Sequence, residues 1–408
     1  MSEWKELSSI TSKIGSGLTP RGGNSVYTDN GISLIRSQNV LDMDFSTENL
    51  AYIDEVQAEK LKNVIVEKND ILLNITGDSI ARCTIVPEEI LPARVNQHVS
   101  IIRCKNTEQS KYVMYYLQYI KKYLLQISKV GGTRNALTKE AIGKLPIKIS
   151  DDCNKISKIL DNIDQKIHTN NQINQELEAM AKTLYDYWFV QFDFPDQNAK
   201  PYKSSGGKMV YHPELKREIP EGWGVDSLWN IANFYNGLAM QKYRPDTNED
   251  DYLPVIKIRE MMNGFSKDTE RARLDIPSEA VVDRGDILFS WSATLEVIIW
   301  GKEKGALNQH IFKVTSDTYP KSFIYFELKS YLKVFKAIAE LRKTTMGHIT
   351  QDHLKQAKIV VPPIELISKL DAKLQPIMLK QQILENQNQE LTQLRDWLLP
   401  MLMNGQVK

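Results

Sequence analysis

The chain carries one sequence pattern twice. Val66-Glu67-Lys68-Asn69-Asp70-Ile71-Leu72-Leu73 returns as Val282-Asp283-Arg284-Gly285-Asp286-Ile287-Leu288-Phe289, and Asn96-Gln97-His98 returns as Asn308-Gln309-His310, about 212 residues later. Leu137-Thr138-Lys139-Glu140 answers Ile349-Thr350-Gln351-Asp352. Gln175-Glu176-Leu177 answers Gln389-Glu390-Leu391, and Trp188 and Trp397 close the two copies. A unit of this length is a domain rather than a solenoid repeat, so the same fold is expected twice. Two similar but divergent domains imply two similar ligands, or one ligand gripped at two unlike places.

At 408 residues, with 42% hydrophobic and 25% charged residues, the chain has material for two cores and their connecting elements. It holds no apolar run near the roughly 18 to 20 residues a membrane span needs, and Met1-Ser2-Glu3-Trp4-Lys5 lacks a signal-peptide layout. A cytoplasmic location is the expectation. Cys83, Cys104 and Cys153 are widely spaced and odd in number, which argues against a disulfide framework or a zinc site and suits a reducing compartment. Net charge is only +1, so a nucleic-acid surface would have to be a local patch.

Residues 1–152 form the first mixed α/β domain in this reading, with strands at Ile32 to Ile35, Val64 to Val66, Ile71 to Ile75 and Val99 to Arg103. Tyr112, Tyr115, Tyr116, Tyr119, Ile120 and Tyr123 recur at helical spacing and read as a core-facing stripe, with a counterpart at Phe323 to Ile338. Residues 153–190 change character. Ile156, Leu160, Ile163, Ile167, Asn170, Asn174, Leu177, Ala181, Leu184 and Trp188 follow a 4-3-4-3 spacing, the seam of a coiled coil. After a connector at 191–222 and a second domain at 223–363, residues 364–402 repeat the seam with Leu370, Leu374, Ile377, Gln381, Leu384, Asn388 and Leu391, then Leu394 and Leu398.

Each seam covers about 35 residues, on the order of 50 Å of helix. Pro376 is expected to kink the second helix or move its start. The economical arrangement pairs the two seams antiparallel, with the polar positions Asn170, Asn174, Gln381 and Asn388 matched to fix register. The expected fold is therefore a mixed α+β dumbbell: two similar domains held apart by two long helices, with pseudo-two-fold symmetry.

Pro195 to Gly222 is rich in Pro, Gly, Ser and Lys and reads as an exposed connector. Pro195-Asp196 followed by Glu214-Leu215-Lys216 matches a loose metal-nuclease pattern, but Ser204-Ser205-Gly206-Gly207 between them gives carboxylates no rigid scaffold for magnesium. Neither a phosphate-binding Gly-rich loop nor a dinucleotide fingerprint occurs, and the Pro-Pro-aromatic tetrapeptide of amino-methyltransferases is missing. His98 and His310 are duplicated, yet they lack a repeated nucleophile or carboxylate partner and read as capping or core residues. Gly17-Leu18-Thr19-Pro20 answers Asn236-Gly237-Leu238 and reads as turn geometry, with Trp4 and Trp223 as packing anchors.

Met180-Ala181-Lys182-Thr183-Leu184-Tyr185-Asp186-Tyr187-Trp188-Phe189-Val190, Pro201-Tyr202-Lys203-Ser204-Ser205-Gly206-Gly207 and Ile219-Pro220-Glu221-Gly222-Trp223 closely resemble the central region of type I restriction-modification specificity subunits. Leu394-Arg395-Asp396-Trp397-Leu398-Leu399-Pro400-Met401-Leu402-Met403-Asn404-Gly405-Gln406 resembles their C-terminal end. The resemblance covers the whole layout but is thin in the globular domains. It implies two target-recognition domains, each reading one half of a split, asymmetric DNA sequence, and helices that act as a ruler and dock two methyltransferase subunits. It also implies no cofactor in this chain: S-adenosylmethionine would sit on the methyltransferase subunits, and ATP and magnesium with restriction and translocase subunits. Half-sites near one helical turn apart, about 34 Å or 10 base pairs, would present both halves on one face of the duplex.

Under that implication, candidate DNA contacts are polar residues in expected loops. In the first domain these are Arg36, Ser37, Asn39, Asn74, Thr76, Arg82, Arg94, Thr133, Arg134 and Asn135. In the second they are Lys257, Arg259, Arg271, Arg273, Ser290, Trp291, Ser292, Lys343, Thr345 and His348. Arg36 corresponds to Lys257, Asn74 to Ser290 and Thr133 to Thr345, matching places with altered chemistry. Two other readings stay open: a peptide-binding scaffold that dimerises through its coiled coil, and a fused restriction-methylation enzyme, which the missing cofactor motifs disfavour.

Overall fold

The duplicated Asp70 and Asp286 show why the first repeat exists. Each carboxylate accepts the backbone N–H three residues earlier, Glu67 at 2.7 Å and Asp283 at 2.8 Å, and so closes the turn that feeds an inner strand. The turn needs a left-handed residue just before the aspartate, and Asn69 (φ 66°) and Gly285 (φ 84°) occupy that place. A computed structural model describes residues 3–129, 135–247, 251–341 and 348–406 of the chain. It divides into two units, residues 1–168 with 389–408 and residues 169–388.

In the first unit, Thr11–Ser16, Val99–Cys104, Ile71–Asn74 and Cys83–Ile85 form an antiparallel sheet in that order. A second sheet runs Ala51–Ile53, Ile32–Ile35, Ala93–Val95, Ile65–Val66, with its middle pair parallel. Glu3–Glu6 pairs with Pro146–Ile149. The inner strand Ile71–Asn74 is buried throughout, and its side chains alternate between two cores: Ile71 and Leu73 belong to the core that holds Tyr112 and Tyr115, while Leu72 belongs to the one that holds Leu34 and Ile101. The tyrosine stripe belongs to helix Ser110–Tyr119, where Tyr112, Tyr115 and Tyr116 are core residues.

The second unit repeats this order strand for strand. Asn233–Asn236, Ile311–Thr315, Ile287–Ser290 and Glu296–Ile299 make the antiparallel sheet. Arg271–Ala272, Leu253–Ile256, Gly305–Leu307 and Val281–Val282 make the mixed one, again with a parallel middle pair. Gly224–Ser227 pairs with Lys358–Val361.

The expected seams are helices. The first runs Cys153–Tyr185 and ends in a π turn, Asp186–Val190, that buries Trp188 and Phe189. The second runs Ile364–Asn404 without a break, so Pro376 neither ends nor starts it. Pro376 is exposed, which leaves the carbonyl it cannot satisfy open to water. Within the second unit, Asn170 donates to Asn388 Oδ1 at 2.9 Å and Gln381 donates to the Asn174 carbonyl at 3.3 Å, an antiparallel register. Of the expected pairing residues, Ile163, Asn170, Leu374 and Leu384 are buried. Ile167, Asn174, Leu177, Leu184, Ile377, Gln381, Asn388 and Leu391 are half-buried.

Two expectations are corrected. The connector is folded onto the second unit: Phe194 stacks on Tyr202 at 4.6 Å and Trp223 at 5.0 Å, and Met209–His212 forms a hairpin with Arg217–Pro220. Its scattered aromatic residues supply burial that the Pro, Gly and Ser content conceals. Trp4 is no anchor. It is 62% exposed on its two-stranded ribbon. All three cysteines are free and buried, and burial pushes the Cys83 and Cys104 thiols up to about 12 and about 11.

Candidate nucleic-acid interface

Three segments of the first unit meet at one backbone crossing. The Ile75 N–H donates to the His98 carbonyl at 3.0 Å, the Leu137 N–H donates to the Ile75 carbonyl at 2.9 Å, and Thr76 bridges Ala136. In the second unit the Trp291 N–H donates to the His310 carbonyl at 3.3 Å, the Ile349 N–H donates to the Trp291 carbonyl at 2.8 Å, and Ser292 bridges His348.

The Asn-Gln-His turn is shaped identically in both. Asn96 and Asn308 are buried, and their side chains accept the N–H of His98 at 3.0 Å and of His310 at 3.4 Å. Gly17 and Gly237 press against this turn so closely that a Cβ would lie 1.9 Å from the Val95 carbonyl oxygen or 2.3 Å from that of Asn308. Close approach, not a turn conformation, is what these glycines supply.

Side chains at the crossing differ between the units. In the first, Thr76 Oγ1 lies 2.6 Å from His98 Nδ1, and Gln97 Nε2 lies 3.3 Å from His98 Nε2. In the second, Gln309 Nε2 lies 3.4 Å from His310 Nε2, while the Trp291 ring sits 5.6 Å from His310 and 6.1 Å from His348. The Trp291 indole N–H donates to Asn236 Oδ1 at 2.9 Å. Asn135, beside Ala136, is exposed, as is His348.

Arg36 and Lys257 also take equivalent places. Each follows the strand residue, Ile35 or Ile256, whose carbonyl accepts the N–H of Asn96 or Asn308. Arg36 lies 5.5 Å from the Tyr27 ring, and Lys257 pairs with Glu270 at 2.6 Å, which holds the Glu270 carboxyl below its ordinary range. Arg259 pairs with Glu260 at 2.6 Å, Arg273 with Asp275 at 3.0 Å, and Arg271 lies 4.1 Å from the Tyr252 ring centre. These last three stand away from the crossing in sequence, around the helix Ile258–Asn263 and the strand Arg271–Ala272. Ser37 and Arg82 are half-buried.

Four candidates are interior rather than surface groups. Asn39 spends its amide on the Ser46 and Glu48 carbonyls, and Asn74 donates to the Ser37 carbonyl at 2.8 Å. Arg94 donates to the Ala58 and Ala93 carbonyls, its guanidinium held below its ordinary pKa by burial. Ser290 donates to the Thr294 carbonyl at 2.6 Å. Polar residues at strand ends satisfy buried backbone carbonyls, and composition alone does not separate that use from base reading. Thr133, Arg134, Lys343 and Thr345 lie outside the described residues. Gln97 and Gln309 also lie at the crossing, beside the duplicated histidines, a place that the repeated Asn-Gln-His marks in the sequence. Among the described residues no group of three or more His, Cys, Asp or Glu could hold a metal ion, and no helix is long and apolar enough to cross a membrane.

One α/β fold built twice, each copy joined to a long helix and presenting the same crossing with different side chains, defines a protein of two duplicated domains. The sequence profile of the type I restriction modification DNA specificity domain matches residues 6–179 and again residues 220–393. The chain belongs to that family. It is 26% identical over 337 residues to the type I restriction enzyme MjaIX specificity subunit of Methanocaldococcus jannaschii, covering 78% of this chain and 73% of that one. With the HindI specificity subunit of Haemophilus influenzae it is 23% identical over 469 aligned positions, covering all of both chains. In fold it is similar to the crystal structure of a type I restriction-modification S subunit from M. genitalium, with a TM-score of 0.56 at 13% identity over 98% of this chain and 96% of that one.

Proposed function

We propose that this chain is the DNA-reading subunit of a type I restriction-modification assembly in the cytoplasm, non-catalytic by itself. Each α/β domain reads one half of a bipartite, asymmetric sequence. The paired helices set the unread spacer and dock two methyltransferase subunits, and restriction and translocase subunits complete the assembly. Adenine methylation would draw on S-adenosylmethionine held by the methyltransferase subunits, and cleavage on ATP and magnesium held elsewhere in the complex. The observation that carries this reading is the crossing at Ile75, His98 and Leu137, repeated at Trp291, His310 and Ile349 with altered neighbours. The same scaffold with different surface chemistry is what two unlike half-sites require.

Thr76, Asn135, Arg36, Ser37 and Arg82 are the contacts proposed for the first half, with Thr133 and Arg134. Trp291, Ser292, His348, Lys257, Arg259, Arg271 and Arg273 serve the second, with Lys343 and Thr345. Mapping methylated adenines in DNA from cells that carry this chain with its partner subunits tests the reading. One split motif with unlike halves and a fixed gap is expected. A continuous motif, or methyl transfer by the purified chain alone, would overturn it.

A further inference from the structure

The duplicated crossing holds one pair of side chains unchanged in the midst of substitutions. Ile75 becomes Trp291, Thr76 becomes Ser292 and Ala136 becomes His348, yet Gln97-His98 and Gln309-His310 keep both identity and mutual geometry, 3.3 Å and 3.4 Å between amide nitrogen and imidazole Nε2. We infer that Gln97 and Gln309 make the same base contact in the two half-sites, each reading an adenine edge in the major groove. This rests on the two-head reading above and adds to it which feature the halves share.

The chemistry follows from how each amide is held. Because Asn96 and Asn308 are committed to capping the turn, the next side chain is turned outward: Gln97 is exposed and Gln309 half-exposed. One amide N–H of each glutamine points to an imidazole Nε2, so that nitrogen accepts. In the first unit, His98 then carries its proton on Nδ1 and donates it to Thr76 Oγ1 at 2.6 Å. In the second, His310 is steadied by the Trp291 ring at 5.6 Å instead. Two different supports thus hold each glutamine amide against its imidazole.

What remains open on each glutamine is a second N–H and a carbonyl oxygen, the donor and acceptor that adenine N7 and N6 accept and supply together. An imidazole that fixes the side chain also lowers the rotamer entropy lost on binding. A phosphate contact would need only the N–H and would leave the carbonyl unused.

The test expresses the full chain with its partner subunits in cells unable to cleave, and maps methylated adenines genome-wide. The wild-type chain should give a split motif. If it does not, the two-head reading fails and this inference falls with it. Given a split motif, Gln97→Ala should lose discrimination about tenfold or more at one A·T pair other than the methylated one, within one half. Gln309→Ala should do the same in the other half. Gln97→Glu should move that position from adenine toward cytosine, since a carboxylate accepts from the cytosine N4 amine. Unchanged letters with uniformly lower methylation would indicate a backbone contact or a purely structural role and overturn the inference. So would relaxation of both halves by either single variant.

Discussion

Arg395 donates to Asp164 Oδ1 at 2.8 Å, and the Tyr115 hydroxyl closes on the other oxygen of the same carboxylate at 2.5 Å. Within the first unit this joins the second long helix, the first long helix and the tyrosine helix at one point. Both ion-pair side chains are largely shielded, at 14% and 15% exposure. Arg395→Ala leaves the half-buried Asp164 side chain short of a donor and should cost about 2 kcal/mol, the usual worth of a hydrogen bond to a charged group. Urea unfolding at neutral pH checks it, and a loss near zero would mean that solvent already serves the carboxylate.

Gly237→Ala forces a methyl group to within 2.3 Å of the Asn308 carbonyl oxygen, so the strand end or the Asn-Gln-His turn must move. Overpacking of this kind costs about 1 to 3 kcal/mol. The larger effect should be functional: one half of the methylation motif is expected to degrade while the other keeps its letters. Gly17→Ala should degrade the opposite half. A motif left intact by both variants would show that the turn tolerates displacement and does not position reading groups.

Burial pushes the Glu327 carboxyl up to about 7 from 4.5, with the Tyr185 hydroxyl bond and Arg217 pulling the other way. The native state therefore keeps a proton that the unfolded chain has already lost. The stability this contributes is complete below about pH 4.5 and disappears as pH rises through about 7. Glu327→Gln keeps an acceptor for Tyr185 and cannot ionise, so it should gain on the wild-type chain by roughly 2 kcal/mol between pH 5 and 8. Urea midpoints of both proteins across that range decide it. Parallel pH profiles would place the ionisation of Glu327 outside this window.

Periodicity made the long helices and the tyrosine core legible because a buried face leaves a spacing in the sequence whatever its partner. Strand Ile32–Ile35 was equally readable, since β-branched runs between turn residues have few other uses. Individual site residues were not. Asn74 and Thr76 are neighbours in one strand-to-turn segment, yet Asn74 turns inward to the Ser37 carbonyl and Thr76 outward to His98. Alternation alone would put residues two apart on one face; the strand ends at Asn74, so the phase breaks between the two, and no composition rule marks where. Pro376 misled in the opposite sense: a proline on the exposed side of a helix held by its other face can be accommodated.

The polar layer of the second unit allows a sharper test of register. Asn170 donates to Asn388 Oδ1 at 2.9 Å and Asn388 donates to Asn171 Oδ1 at 2.7 Å, while Asn170 Oδ1 is buried without a partner. Replacing Asn170 alone with leucine strands the Asn388 carbonyl and should cost about 1 kcal/mol. Replacing both Asn170 and Asn388 with leucine removes the mismatch and should stabilise the helix pair by about 1 kcal/mol. That stability should come with looser register, because apolar seams tolerate slippage that an amide pair forbids. In cells, the double variant is then expected to methylate sites with more than one gap length between the halves. A single unchanged gap would mean that the leucines flanking the layer, not the amides, hold the two helices in register.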